Sequence, residues 1–339
     1  MSAPAAGEAR HFAVMGAGSW GTAFAKVLAD AGTPVCLWAR RPELADALNA
    51  NHRNPEYLSD VELPSSVRAS ASAAEALDGA SVVVLALPAQ TLRANLAGWT
   101  HHVPDDACYV SLAKGVELAT LQRMSEVVGD VAGVPAERVA VVTGPNLAGE
   151  IARGHPSATV VASVDEQLAE RLQRASSSAY LRPYTNTDVV GCELGGAVKN
   201  VIALAVGMAA GMGFGDNTKA SIMTRGLAET ARLGMAYGAD PMTFAGLAGL
   251  GDLVATCSSP LSRNRTFGEK LGQGMSLDEV VAEQRQIAEG VKSSEAILGL
   301  ARARDVEMPI VEHVVRAVHE GMPIPEVVRS LMSREPRAE

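Results

Sequence analysis

Aromatic residues are scarce in this chain, at 4% of 339 residues, and there are only four cysteines. The cysteines stand far apart, with no Cys-x-x-Cys pair, so neither a disulfide framework nor a zinc site is indicated. Basic residues are also fewer than acidic ones, and the formal net charge is −9. A chain without a cationic excess is poorly suited to nucleic acid or to an anionic membrane surface, although a local basic cluster can still bind a small phosphate compound.

Other signals are missing as well. Residues 1–10 lack the basic start and apolar core of a secretory signal and are predicted to be a disordered tail of a cytoplasmic protein. Residues 194–215 are apolar enough to raise the question of a membrane span, but Lys199, Asn200 and several glycines would lie inside the bilayer. We expect a buried helix there and no membrane insertion. The seven histidines show no metal-ligand spacing, so no metal is expected.

The first part of the chain has the pattern of a dinucleotide-binding fold. An apolar run at 11–15 leads into Gly16-x-Gly18-x-x-Gly21, then into a helical pattern over 22–31 and an apolar run at 35–39. In a strand, turn, helix, strand unit these glycines allow a tight turn and close approach of a pyrophosphate, and Ser19 and Trp20 would line the cofactor. The alternative is a glycine turn without a ligand.

Two arginines, Arg40 and Arg41, follow the second predicted strand, where NAD-binding proteins usually have an acidic residue. Guanidinium groups suit a 2′-phosphate, so we expect NADP(H) to be preferred, with NAD(H) possible. Alternatively the pair is a solvated helix start, and Glu43 reaches the ribose.

Further strands are predicted at 81–87, 107–112 and 139–142, with helices between them, which indicates a Rossmann-type doubly wound parallel sheet. Ligands of such sheets bind outside the carboxyl ends of the strands. Lys114 follows one of these ends, where it could meet an anion or a carbonyl oxygen or else be a surface lysine. The loop 144–150 follows another and offers backbone amides.

The strand pattern stops near residue 190, which predicts domains at 11–190 and 191–339, the second mostly α-helical. Lys199 lies in a long apolar segment, where burial would bring its pKa toward neutrality, unless it reaches solvent from a helix rim. Asp252 lies among glycines and leucines and would pair with Lys199 or cap a helix. Hydroxyls, an amide and two arginines at 258–266 favour phosphate binding over a plain basic turn.

These motifs, in this order and over residues 11–330, resemble the bacterial NAD(P)-dependent glycerol-3-phosphate dehydrogenases. The resemblance implies reversible NAD(P)H-dependent reduction of dihydroxyacetone phosphate to sn-glycerol 3-phosphate for glycerophospholipid synthesis. It implies Lys199 as the catalytic acid/base, aided by Asp252 and Lys114, without a metal. Asn146 stands where many members have serine, and Ile287 where many have valine.

The resemblance also implies the binding residues. The substrate would contact Lys114, Gly144, Asn146, Lys199, Asp252, Ser262, Arg263 and Asn264. The dinucleotide would contact Gly16, Gly18, Ser19, Trp20, Gly21, Arg40, Arg41, Lys114, Ala148, Arg263, Ile287 and Glu289. We further expect a homodimer, because the helical domain is apolar and rich in glycine.

Two other functions remain open from the residues. One is a related lysine-dependent dehydrogenase of the hydroxy-acid or ketopantoate type, which binds a carboxylate and should not need Ser262, Arg263 and Asn264. The other is a non-catalytic NADP-sensing protein, against which the intact Lys199 and Asp252 argue.

Overall fold

The computed structural model describes residues 11–284 and 288–332, and these divide into two compact units. The first unit contains residues up to 113 and 124–189, and the second contains 114–123 and the chain from 190 onward. The segment 114–123 thus belongs to the second unit, although residues of the first unit precede and follow it in the sequence. The predicted limits of independent domains, 11–190 and 191–339, stay a prediction.

Within the described residues, the first unit contains one sheet of eight strands. The strands are β1 Phe12–Met15, β2 Val35–Trp38, β3 Val67–Ser70, β4 Val82–Leu85, β5 Cys108–Ser111, β6 Val139–Thr143, β7 Ser157–Ala162 and β8 Leu181–Asn186. Their spatial order is β3-β2-β1-β4-β5-β6-β7-β8, and every neighbouring pair is parallel except β6 with β7. The predicted doubly wound sheet is confirmed, with one antiparallel pairing that the sequence pattern did not predict.

The helices of the first unit cover both faces of this sheet. They are α1 Ser19–Asp30, α2 Pro42–Asn51, α3 Ala73–Leu77, α4 Ala89–Trp99, α5 Met124–Ala132, α6 Ala148–Ala152 and α7 Glu166–Ser176. Successive residues of β1 point to opposite faces of the sheet. Val14 packs in the core with α1, α2 and α7, whereas Met15 packs in the core with α3, α4 and α5. Burial on both faces explains why the central strands β1 and β4 are continuous apolar runs.

The described residues of the second unit from 190 onward are mostly helical, whereas its segment 114–123 contains no helix. The helices of this unit are α8 Val189–Gly211, α9 Asp216–Ala236, α10 Pro241–Ala245, α11 Asp252–Ser258, α12 Arg263–Gly272, α13 Leu277–Gln284, α14 Glu289–Arg302, α15 Pro309–His319 and α16 Ile324–Met332. A π-helical turn, Leu247–Gly251, leads directly into α11. By length and composition α8 could cross a membrane, but 83% of its most apolar stretch is buried inside the protein, as in a core helix.

Helices α8 and α12 pack at backbone distance because glycines face one another. A Cβ atom on Gly207 would lie 2.1 Å from the Arg265 carbonyl oxygen, and one on Gly268 would lie 2.1 Å from the Leu204 carbonyl oxygen. Neither distance is possible for a real side chain, so glycine is required at both helices. This close approach fixes α8 against the helix that begins at Arg263.

Candidate active site

The centre of the second unit is a buried aspartate between two lysines. The Lys199 Nζ lies 3.0 Å from Asp252 Oδ1, and the Lys114 Nζ lies 2.5 Å from Asp252 Oδ2. The Asp252 side chain is 2% exposed, and the lysine side chains are 10% and 15% exposed. The predicted pairing of Asp252 with Lys199 is present. The alternatives, in which Lys199 reaches solvent from a helix rim and Lys114 is a surface lysine, do not fit these low exposures. With both ammonium groups charged, the three side chains carry a net charge of +1.

Two local features bring Lys199 to Asp252. Gly195 precedes Lys199 by four residues and therefore lies on the same face of α8. A Cβ on Gly195 would lie 2.5 Å from the Ala248 carbonyl oxygen, so its absence lets α8 approach the π-helical turn. Asp252 begins α11 immediately after that turn, and the N-cap position is occupied by Gly251 rather than by Asp252. The Asp252 carboxylate therefore serves the lysines rather than capping the helix.

A threonine completes the contacts of Lys199. The Lys199 ammonium donates to Thr256 Oγ1 at 2.5 Å, and the Thr256 hydroxyl lies 3.3 Å from Asp252 Oδ1. Thr256 was not among the residues predicted from sequence. Its position four residues after Asp252, one helical turn away, is the signal that could have indicated it.

Burial shapes the proton affinities in this cluster. Desolvation is the largest cause that lowers the pKa of Lys114 to about 8, opposed by the Asp252 carboxylate and reinforced by the Lys199 charge. Nearby, burial raises the pKa of the Cys257 thiol to about 12, so this cysteine stays protonated at neutral pH. The cluster therefore combines a lysine of lowered pKa with a thiol that stays neutral.

Amide side chains connect this cluster to the start of α12. Asn200 Nδ2 donates to the Lys114 carbonyl oxygen at 3.4 Å, and Asn264 Nδ2 donates to Asn200 Oδ1 at 2.9 Å. Asn264 Oδ1 in turn accepts from the Gly290 backbone N–H at 2.8 Å. Asn264, predicted to contact substrate, thus uses its amide group inside the unit in this structure.

The other predicted phosphate residues lie at the first turn of α12. Ser262 is the N-cap, and its hydroxyl accepts from the Arg265 backbone N–H at 3.3 Å. Arg263 follows it and is exposed, and Glu289 begins α14 next to Gly290. A helix start with an adjacent arginine suits a phosphate group. Ile287 lies outside the described residues, so its predicted contact with the dinucleotide stays a prediction.

The glycine turn among the predicted dinucleotide residues lies in the first unit, after β1 at the carboxyl edge of its sheet. Gly16 has φ +133°, and a Cβ on Gly21 would lie 1.9 Å from the Gly16 carbonyl oxygen, so both glycines are required by the turn itself. Gly18 differs, because a Cβ there would have no neighbour within 4 Å. Gly18 is also the N-cap of α1, which has no side-chain cap. These features fit a pyrophosphate against the backbone amides near Ser19.

An amide side chain with no partner lies at the same edge of the sheet. Both polar atoms of the Asn146 side chain are buried and make no hydrogen bond within the described residues. Asn146 follows Gly144, which has φ +107°, in the loop between β6 and α6, and Ala148 begins α6. Buried amides are normally hydrogen-bonded, so this group is suited to a ligand. Trp20 also buries its indole N–H without a partner, while its ring packs against Phe24.

The arginines after β2 are both exposed. Arg41 forms a short ion pair with Glu56, whereas Glu43 lies in the first turn of α2. The Glu56 carboxylate raises the pKa of Arg41, through the hydrogen bond first and charge second. Sequence reasoning missed Glu56, which is 15 residues from Arg41. Among the described residues no group of three or more histidine, cysteine or acidic side chains could hold a metal ion.

The glycine turn of the first unit and the lysine cluster of the second define an NAD(P)-dependent oxidoreductase. Residues 11–169 match the family of the NAD-dependent glycerol-3-phosphate dehydrogenase N-terminus, and residues 188–329 match that of the C-terminus. The chain belongs to the NAD-dependent glycerol-3-phosphate dehydrogenase family, which confirms the resemblance.

Individual relatives agree with this assignment. A glycerol-3-phosphate dehydrogenase named for NAD(P)+ from Streptomyces griseus subsp. griseus is 64% identical over 96% of this chain and 97% of its own length. The crystal structure of glycerol-3-phosphate dehydrogenase from Coxiella burnetii matches 96% of this chain and 99% of its own, with a TM-score of 0.90 and 34% identity. A ketopantoate reductase structure from Ralstonia eutropha shares the fold alone, at 16% identity and a TM-score of 0.59.

Proposed function

We propose that this enzyme catalyses the reversible NAD(P)H-dependent reduction of dihydroxyacetone phosphate to sn-glycerol 3-phosphate. The observation that carries the proposal is the buried cluster of Lys199, Asp252 and Lys114, with its net positive charge. Such a cluster favours an anionic substrate and stabilises negative charge that develops on a carbonyl oxygen. Family membership and the close relatives named for this activity support the same substrate.

The lysines would divide the work at the reacting carbonyl. The bound nicotinamide cofactor supplies the hydride. Lys199 would polarise the carbonyl and donate a proton to the forming alkoxide, and in the oxidative direction its neutral amine would accept that proton. Asp252 and Thr256 would orient the Lys199 ammonium, because both already contact it. Lys114 would add positive charge near the substrate oxygens.

The phosphate would bind at the first turn of α12. Arg263 and the backbone amides of that turn would hold it, with Ser262 fixing the helix start as N-cap. Gly144 and the partnerless Asn146 amide of the first unit are further proposed substrate contacts. Binding energy from the phosphate would position the carbonyl carbon without itself taking part in the chemistry.

We propose that NADPH is preferred over NADH. The support is the pair Arg40 and Arg41, which replaces the acidic residue typical of NAD-specific sheets. Glu56 opposes this preference, because its carboxylate already engages Arg41. The preference is measured as the ratio of kcat/KM with NADPH to kcat/KM with NADH.

We also propose a cytoplasmic homodimer that supplies glycerol 3-phosphate for glycerophospholipid synthesis. Exposed apolar side chains of the second unit support self-association, among them Met242 at 72%, Leu261 at 58% and Val254 at 43% exposure. Light scattering coupled to size-exclusion chromatography would measure the mass against the 35.2 kDa of one chain. A single species at that mass would rule the dimer out.

The reaction itself is tested by following NADPH oxidation at 340 nm with three ketones in parallel. Dihydroxyacetone phosphate should be reduced rapidly, whereas dihydroxyacetone and ketopantoate should be nearly inert. Equal turnover of dihydroxyacetone would contradict the phosphate site at α12. Turnover of ketopantoate alone would favour the carboxylate-binding relatives. If none of the three ketones is reduced although NADPH binds measurably, a non-catalytic NADP-sensing protein would be favoured.

A further inference from the structure

Lys114 lies on a ten-residue segment, 114–123, that is attached to helix α8 at both of its ends. At one end, Asn200 Nδ2 donates to the Lys114 carbonyl oxygen at 3.4 Å. At the other end, the Arg123 guanidinium lies 2.7 Å from Glu193 Oε2. Glu193 and Asn200 are seven residues apart, so they lie on one face of α8 about 10 Å from each other.

The segment is a folded hairpin rather than a loose loop. Val116 and Arg123 form an antiparallel bridge, and the Glu117 backbone N–H donates to the Gln122 carbonyl oxygen at 2.9 Å. At the bend, Leu121 has φ +59°. The Leu121 side chain fills the space beside Gly299 of α14, where a Cβ atom would lie 3.1 Å from it. The hairpin is thus seated on α8 and α14.

The Arg123–Glu193 ion pair is one of the more deeply buried ion pairs among the described residues. The Glu193 side chain is 5% exposed and that of Arg123 is 15% exposed. A buried pair is costly to desolvate and adds little net stability, yet removing one partner is strongly unfavourable. Such a pair therefore specifies one arrangement of the groups that it joins.

We infer that Arg123 and Glu193 are positioning residues, which hold the hairpin on α8 so that the Lys114 ammonium stays on Asp252. Arg123 would act through the hairpin that begins at Lys114, which its ion pair with Glu193 holds on α8. The inference rests on the proposed function of Lys114 near the substrate oxygens. Arg123 and Glu193 are 70 residues apart in the sequence, so their ion pair forms only when the hairpin packs on α8.

A double-mutant cycle between Arg123 and Lys114 tests this inference. Arg123→Ala should lower kcat for dihydroxyacetone phosphate about tenfold, with the Kd of NADPH unchanged, and Arg123→Lys should restore part of the loss because it keeps the charge. In the Lys114→Ala background, Arg123→Ala should cost less than twofold, because the group that it positions is gone. A purely structural effect would be additive instead.

Glu193→Gln provides a second arm, since it keeps the size of the side chain and should reproduce the loss if Arg123→Ala does not fold. A full tenfold loss that persists in the Lys114→Ala background would overturn the inference while leaving the proposed function intact. Wild-type kcat in both Arg123→Ala and Glu193→Gln would overturn it as well. Wild-type kcat in Lys114→Ala would instead contradict the proposed function of Lys114, and with it any positioning through that residue.

Discussion

Replacing Lys114 by methionine should change how the stability of this enzyme depends on pH. In the folded protein burial lowers the pKa of Lys114 from an ordinary 10.5 to about 8, despite the Asp252 carboxylate beside it. Between these two pH values the unfolded chain holds a proton at this position that the folded chain has released. The free energy of unfolding therefore rises with pH in this interval.

The magnitude follows from the width of the interval. Each pH unit is worth about 1.4 kcal/mol per proton, so the range from about 8 to 10.5 corresponds to about 3 kcal/mol. The wild type should gain this amount relative to Lys114→Met as the pH is raised from 7 to 10.5. The methionine side chain has a similar volume and does not titrate, so the difference isolates the lysine.

The assay is urea unfolding followed by far-ultraviolet circular dichroism at half-unit steps of pH. Lys219→Met serves as the matched control, because Lys219 lies in the same unit and pairs with Asp216, whose side chain is exposed. That control should keep a constant offset from the wild type throughout. A Lys114→Met offset that is also constant from pH 7 to 10.5 would refute the reasoning, since it would mean that burial does not alter the proton affinity of Lys114.

Lys199→Ala should lower kcat by about 10²- to 10⁴-fold while the Kd for NADPH changes by less than about twofold, as fluorescence titration would show; near-normal turnover would remove Lys199 from the mechanism. Arg41→Ala should reduce the NADPH to NADH ratio of kcat/KM about tenfold, and Glu56→Gln should raise it; an unchanged ratio in both would exclude this pair from cofactor choice. Gly268→Ala should destabilise the protein by about 1–3 kcal/mol in urea unfolding, because its Cβ would meet backbone at 2.1 Å. Gly98→Ala, with open space around it, should instead stabilise slightly.

The dinucleotide-binding half was predictable because its signals are local. The turn at Gly16, Gly18 and Gly21, the strand before it and the helix after it lie within twenty residues, and the backbone of the turn itself requires Gly16 and Gly21. The antiparallel placement of β7 was not predictable, because Ser157–Ala162 was not among the predicted strands. Strand direction depends on the chain path, which a strand of six residues does not encode.

The lysine cluster was predictable in part. Lys199 and Asp252 were indicated because a charged residue in an apolar segment needs a partner. The pairing of Lys114 with Asp252, 138 residues away, was not predicted. Nothing in the sequence of segment 114–123 indicates that it belongs to the second unit rather than to the first. The same holds for Arg123 with Glu193 and for Arg41 with Glu56, which were found only from the structure.

One carboxylate between two lysines is the arrangement that gives this cluster its net positive charge. A second carboxylate would neutralise the cluster and remove its attraction for an anionic substrate, whereas no carboxylate would leave two like charges buried together. With Asp252 alone, repulsion between the ammonium groups is moderated but the net charge stays positive. The π-helical turn before Asp252 and Gly195 on α8 make this possible, because together they let both of its oxygens face a lysine. Fold and reactivity therefore depend on the same few backbone contacts, and a change at Gly195 should damage both at once.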